Sequence, residues 1–316
     1  MQLIDHYFPV LDDGFIALKG FMGSDEDIER SARVSYGKGT RKTSDTRNLL
    51  RYLLRNKHTS PFEFPQLSFH VRAPIYVYRQ WHRHRTWSFN EYSARYSVLI
   101  DSMEKTHPSA WREQSQNNKQ GSAGFIQERW DGPDSDEPNG DFITGQHLSE
   151  EEAELQKTLK RVYDNRLHTG VAREQARKDM PVSNYSEMYA TVDLHNLLHF
   201  MGLRCDSHAQ LEIRLYANII AGMVKELFPL TFEAWHDFNF TSVSFSRGEQ
   251  EVLSEVIKMQ DFSLDDPSQK EYLESLCMDY GLSKRETGEF WDKISGLGKH
   301  PVSFPSLDYS KSYTKA

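Results

Sequence analysis

Cysteine is scarce in this chain. There are two, Cys205 and Cys277, in 316 residues, with no CxxC pair and no Cys/His spacing of a metal site. That excludes a disulfide framework and a zinc-ribbon fold, and it suits a reducing cytoplasm; no bound metal is expected. Long apolar runs are missing too. No stretch reaches the ~18 residues of a membrane span, and the opening MQLIDHYFPVLDDGF carries acids instead of a signal-peptide core. Positive charge is in deficit, with 38 Lys and Arg against 46 Asp and Glu, a net of -8. Long nucleic-acid polymers usually meet a basic face, because their affinity comes largely from phosphate neutralisation. The balance therefore points away from a nucleic-acid polymer and toward a small anion held in one pocket. No internal repeat is present.

What is there supports a folded chain. Hydrophobic residues make up 38% and aromatics 12%, enough to exclude wholesale disorder, and the length allows one to two domains. Ser24 and Asp25, followed by early acids, mark a capped helix start. Leu49, Leu50, Leu53 and Leu54 recur at helical spacing over 45–56. Pro61 and Pro65 then break regular structure, and QLSFHVRAP alternates Leu67, Phe69 and Val71 as a half-buried strand does. Pro74 opens a helix running to about Arg85. Residues 105–148 are Gly-, Pro- and polar-rich, a loop insertion. Ser149 with Glu152 is a capping signature for the next helix. Residues 185–203 read as a buried helix. Ser207 with Gln210 is a second capping signature, before a helix with Leu211, Leu215, Ile219 and Met223 on one stripe. Residues 236–316 show short helical signals and no motif.

The densest chemistry lies in WHRHRTWSFNEYSARYS, residues 81–97. Here an acidic protein concentrates Arg83, His84, Arg85 and Arg95 around Ser88, Asn90, Glu91 and Ser93. If NEYSARY is extended, Glu91, Ser93 and Arg95 share one side, because strand side chains alternate. An acceptor, a hydroxyl and a guanidinium together suit a polar ring and its phosphate. Arg79 and Arg83, four apart, repel each other on a helix and call for an anion nearby.

The order of these residues resembles the flavin-dependent thymidylate synthases. Arg83, His84 and Arg85, then seven residues, then Ser93, is similar to that family's signature. The likeness extends through Ser88, Asn90, Glu91, Arg95 and Tyr96. SARVSYG at 31–37, HTSPFEF at 58–64, ARKDMP at 176–181 and LRCDSHAQLEI at 203–213 resemble further family segments in the same order. Ser60 stands where Thr is usual. The resemblance covers roughly residues 1–235 and leaves the 105–148 loop and the tail unexplained.

That resemblance implies an α+β fold, long helices packed with a small mixed sheet. It implies a catalytic domain over 1–235 with the 105–148 insertion, a C-terminal extension over 236–316, and a homotetramer with shared active sites. The reaction implied is dUMP to dTMP, with methylenetetrahydrofolate as carbon donor, FAD as redox cofactor and NADPH as reductant. Gln80, Arg83, Glu91, Ser93 and Arg95 would line the dUMP site, with Arg177 reaching its phosphate from another subunit. Arg204 would sit at the pyrimidine, where a fixed cation favours ionisation of ring N3. Arg204 and Ser93 are the expected catalytic-site pair, Ser93 as a positioning group, since no general base lies beside it in sequence. FAD contacts would fall on Ser35, His58, Ser60, Glu63, Arg83, His84, Arg85, Asn90, Glu91, Asp193, His195, His199 and His208. Asp193 departs from the family's Asn, and His199 stands where Asn is common. No nucleophilic role passes to Cys205. Two other readings share the basic segment: a nucleotide-binding flavoprotein with different chemistry, and a non-enzymatic nucleotide- or RNA-binding module.

Overall fold

The computed structural model describes residues 2–34, 45–116, 121–126, 129–131, 141–259, 263, 266–297 and 303–314. Ser35 and the GPDSDEPNG stretch at 132–140 lie outside the described residues. The chain forms two compact units, one of residues 1–235 with 304–316 and one of residues 236–303. The expected extension over 236–316 is thus divided between them.

The first unit is α+β. Strands β1 (Tyr7–Val10) and β2 (Gly14–Met22) lead to helices α1 (Asp25–Arg33) and α2 (Thr46–Arg55). Ser24 caps α1 and Asp45 caps α2, each accepting a hydrogen bond from the third helical N–H. Leu50, Leu53 and Leu54 of α2 are buried, as their spacing predicts. Then come β3 (Gln66–Pro74), α3 (Ile75–Trp81) and β4 (Ser88–Glu91). The 105–148 region contributes two small ribbons, β5 (Arg112–Gln114) with β6 (Ser122–Phe125), and β7 (Arg129–Asp131) with β8 (Asp141–Ile143). Helix α4 (Gly145–His168), the turn α5 (Arg173–Ala176), β9 (Tyr185–Asp193), α6 (Leu194–Arg204), α7 (Leu211–Leu227) and α8 (Pro229–Trp235) complete the unit. The main sheet has the order β1-β2-β3-β9-β4, every neighbouring pair antiparallel.

Several local expectations change. Residues 185–193 are strand, and the helix begins only at Leu194. Ser186, Met188, Ala190 and Val192 are buried in alternation, a period of two that the dense apolar content masked. Asp193 ends the strand and caps α6 through the Asn196 N–H at 2.9 Å. Helix α4 starts at Gly145, capped by Thr144 with His147, so Ser149 is inside the helix. Its hydroxyl bridges Thr106 O (2.7 Å) and Trp111 Nε1 (2.9 Å), pinning the inserted loop to the helix. On α7 the buried stripe is Ile213, Tyr216, Ala217, Ile220 and Val224, while Leu215 is exposed.

The core beneath the site is aromatic. Trp81, Trp87, Phe69, Phe200 and Tyr216 pack with ring centroids 5.0 to 6.2 Å apart. The end of the chain returns to this unit. Phe304 packs on Phe232 and Trp235, Tyr309 donates to Glu226 at 2.6 Å, and the Tyr313 N–H pairs with Tyr7 O at 2.7 Å.

The second unit is helical: α9 (Arg247–Lys258), α10 (Pro267–Asp279) and α11 (Lys284–Ser295). Its core is Val252, Val256, Leu273, Cys277, Leu282, Phe290 and Ile294. Helices α9 and α11 each start with a capping box, Ser246 with Glu249 and Ser283 with Glu286. No helix among the described residues is long and apolar enough to cross a membrane.

Candidate active site

The basic segment departs from the helix sooner than its sequence suggests. Helix α3 ends at Trp81, and Arg83 and His84 lie in the following turn, their N–H groups donating to Gln80 O and Trp81 O. The turn exposes Arg83 and Arg85 and buries His84. Strand β4 then runs only from Ser88 to Glu91. The chain turns at Ser93, whose carbonyl accepts from Tyr96 N at 3.1 Å, so Glu91, Ser93 and Arg95 do not share a strand face. The Ser93 hydroxyl accepts from Arg95 N, a local bond that competes with extended backbone. Glu91 instead accepts from the Ser186 hydroxyl of β9 at 2.9 Å.

Helix α6 brings its C-terminal residue, Arg204, against this turn. Arg204 Nε donates to His84 Nε2 at 3.1 Å, and Nη2 donates to Gln80 O at 3.2 Å. Both acceptors are neutral. Burial, then the Arg204 charge and His199, push the His84 imidazole down to about 4, so it carries its proton on Nδ1 and accepts at Nε2. Burial, then Arg83, also lowers the affinity of Arg204 for its proton. Among the described residues, Arg79, Arg83, Arg85 and Arg177 make no ion pair, and Arg204 and Arg95 meet no carboxylate. Arg83 and Arg204 lie close enough for the first to lower the proton affinity of the second, and an anion beside them would relieve that repulsion.

The other candidates fall into groups. His58, Ser60 and Glu63 are exposed around the short helix Ser60–Glu63, held by buried Pro61 and Phe62. His195 and His199 sit one turn apart on α6, the first half-buried and the second exposed with its ring 6.0 Å from that of His84. Asn90 is exposed on β4. His208 is exposed and paired with Asp206 at 2.8 Å. Asp193 is engaged by its cap and by Asn196 Nδ2 at 2.6 Å, so both carboxylate oxygens are hydrogen-bonded to Asn196. Arg177 is half-buried; the preceding turn is fastened beside Ser93 by Arg173, which donates to Tyr96 O at 2.9 Å. Cys205 is buried and its thiol pushed up, by burial first and Asp206 second, which removes it as a nucleophile.

Ser207 and Gln210 do not form a capping box. Gln210 is the N-cap residue of α7 without a side-chain cap bond. Its amide bridges Gln80 and Glu212, and Glu212 pairs with Arg112 of the inserted loop at 2.6 Å. Sequence reading missed Arg112 and Glu212. Glu212 was visible in the AQLEI segment, whereas nothing local marks Arg112, 100 residues away.

A family profile described as thymidylate synthase complementing protein matches residues 17–230. A flavin-dependent thymidylate synthase of Wolbachia pipientis wMel is 39% identical over 280 residues, covering 89% of each chain. The chain belongs to the flavin-dependent thymidylate synthase family. A second such synthase, from Thermus thermophilus, is 39% identical over 295 residues, 92% of this chain and 97% of that one. Among solved structures, the UMP/dUMP methylase PolB of Streptomyces cacaoi, bound with 5-Br UMP, superposes with a TM-score of 0.61 at 32% identity. That match covers 75% of this chain and all of PolB. Membership in the flavin-dependent thymidylate synthase family makes the chain an enzyme, a methyltransferase, and the α+β fold agrees with it.

Proposed function

We propose that this chain methylates dUMP to dTMP, with methylenetetrahydrofolate as carbon donor, FAD as redox cofactor and NADPH as reductant. The observation that carries this reading is the set of guanidiniums without counter-charge, Arg83, Arg85, Arg177 and Arg204, in an acidic protein. A mononucleotide phosphate and a cofactor diphosphate are anions of the right size for them. The nucleotide bound by PolB, a UMP/dUMP methylase, supports the same ligand class.

In this reading residues 1–235 form the catalytic domain, and Gln80, Arg83, Glu91, Ser93, Arg95 and Arg177 bind dUMP. Arg204 lies against the pyrimidine. Its guanidinium, oriented by His84 Nε2 and Gln80 O, stabilises negative charge on the ring carbonyls as C5 becomes nucleophilic. Neutral His84 leaves that charge on Arg204 alone. Ser93 positions the nucleotide and takes no covalent part. His58, Ser60, Glu63, Asn90, His195, His199 and His208 would hold the flavin, and the donor set fits: hydroxyl, amide and imidazole groups with Arg83 and Arg85 for the diphosphate. When bound, the flavin supplies the hydride that completes the methyl group. The assembly is a homotetramer in which subunits share active sites.

The test is dTMP formation from dUMP, methylenetetrahydrofolate, FAD and NADPH, with each component omitted in turn and product read by mass spectrometry. Product should require every component. Arg204→Ala should keep the fold, by circular dichroism, and lose at least about a hundredfold in turnover, as removal of one oriented charge-stabilising donor does. Unchanged dTMP production by that variant refutes its assigned role.

A further inference from the structure

The segment that leads into the insertion is fastened at its base by backbone hydrogen bonds. Tyr185 N donates to Ser102 O at 3.0 Å, and Glu104 N donates to Ser183 O at 2.9 Å. The Gln156 amide of α4 donates to Glu104 O at 2.8 Å. These bonds hold the half-buried Glu104 where three other carboxylates act on it, each from a different element. Asp12 lies in the turn between β1 and β2, Glu152 on α4 and Glu212 on α7. Each of these three has its own donors. Asp12 accepts from the Tyr185 hydroxyl and from Lys105 N at 3.1 Å. Glu152 accepts from Thr106 N at 2.8 Å and Thr106 Oγ1 at 3.2 Å. Glu212 accepts from Arg112 Nη2 at 2.6 Å and Gln210 Nε2 at 2.7 Å. Glu104 lacks such support. Among the described residues it makes no ion pair, and its carboxyl faces one donor, the Tyr76 hydroxyl at the start of α3. The other groups bordering this cluster are committed elsewhere, Arg112 to Glu212 and the Tyr185 hydroxyl to Asp12. Lys105, next in the chain, is exposed. Donors and cations favour an ionised carboxyl, whereas burial and like charge oppose it. Of the four, Glu104 therefore gains most by keeping its proton.

We propose that Glu104 is a protonation latch for the insertion: its neutral carboxyl lets residues 102–106 stay fastened to residues 183–185 and α4, and its ionisation loosens them. The latch does not depend on which ligand the active site binds. Burial, then Asp12, Glu152 and Glu212, push the Glu104 carboxyl up from 4.5 to about 7. In a loosened segment the carboxyl returns to its ordinary value, so loosening releases a proton and rising pH favours it. The fastening that the proton contributes is complete below 4.5 and is lost as pH rises to about 7. Between about pH 5.5 and about pH 8.5 the opening equilibrium of this segment should rise about thirtyfold.

The experiment is hydrogen exchange of the full-length protein read by mass spectrometry, with rates corrected for the intrinsic effect of pH. Peptides spanning residues 100–112 should lose about thirtyfold in protection across that range, while peptides of α2 and β3 keep theirs. Glu104→Gln has the same shape and cannot ionise, so its protection over 100–112 should not change with pH. A wild-type segment whose protection is constant overturns the latch. So does a loss in Glu104→Gln equal to that of the wild type, or a loss shared by α2 and β3, which would mean that alkali destabilises the whole unit. Should Glu104→Gln not fold, a carbon-13 titration of the wild-type carboxyls decides the matter. Glu104 should then show a midpoint near 7, and a midpoint in the ordinary carboxylate range overturns the latch.

Discussion

At the scale of single residues, the site depends on which groups stay neutral. His84 accepts from Arg204 only without a proton on Nε2, and burial with two basic neighbours secures that state. Its folded-state pKa is depressed to about 4 from the ordinary 6.5. The unfolded chain therefore takes the proton first as pH falls. The contribution of His84 to stability is complete above pH 6.5 and declines through the window down to about 4. A histidine NMR titration should give His84 a midpoint near 4. A midpoint at the ordinary value would mean that the imidazole is solvated and not the acceptor of Arg204.

At the scale of elements, close contacts between β2, α7 and β3 fix the sheet that carries the site. Gly14 begins β2 where a Cβ would collide with the Tyr216 hydroxyl and the carbonyls of Val10 and Arg72. Tyr216 itself donates to Arg72 O at 2.7 Å. Two of the three obstacles are backbone and cannot swing aside. Gly14→Ala should cost about 1–3 kcal/mol of stability, the usual range for overpacking, read as a lower urea midpoint at unchanged slope. Native stability in that variant would show that β2 shifts freely. Elements of this unit were legible where one signal dominated. The leucines of α2 and the alternation of β3 needed no tertiary information. The strand β9 was not legible, because the sheet buries its Ser, Met, Ala and Val face in a composition that also suits a helix. Ser149 and Gln210 matched capping patterns, but Thr144 took the cap in one case, and the Gln210 side chain engages Gln80 and Glu212 in the other. The residues of the basic segment were legible as a group from charge and order. Their arrangement was not, since the turn at Ser93 replaces the expected extended backbone and the approach of Arg204 depends on contacts 120 or more residues apart.

At the scale of the whole molecule, the last residues brace the first unit instead of extending beyond it. Phe304 is buried against Phe232 and Trp235, and Tyr313 reaches Asp13 at 2.7 Å beside Arg72. Deleting residues 304–316 should destabilise the protein by about 2–4 kcal/mol, the burial of one large aromatic plus its hydrogen-bonding neighbours. An unchanged denaturation curve would mean the segment is dispensable. Charge distribution is the wider feature. A protein of net -8 leaves Arg83, Arg85, Arg177 and Arg204 without a carboxylate partner among its described residues, and the proposed function gives them a nucleotide phosphate. The most direct test is calorimetric titration with dUMP and with deoxyuridine, which differ by that phosphate alone. Two charge-assisted hydrogen bonds are worth about 3 kcal/mol, so dUMP should bind at least about a hundredfold tighter, with an advantage that shrinks as salt rises. Equal affinity for the two ligands would contradict that assignment, because the arginines would then be holding no phosphate.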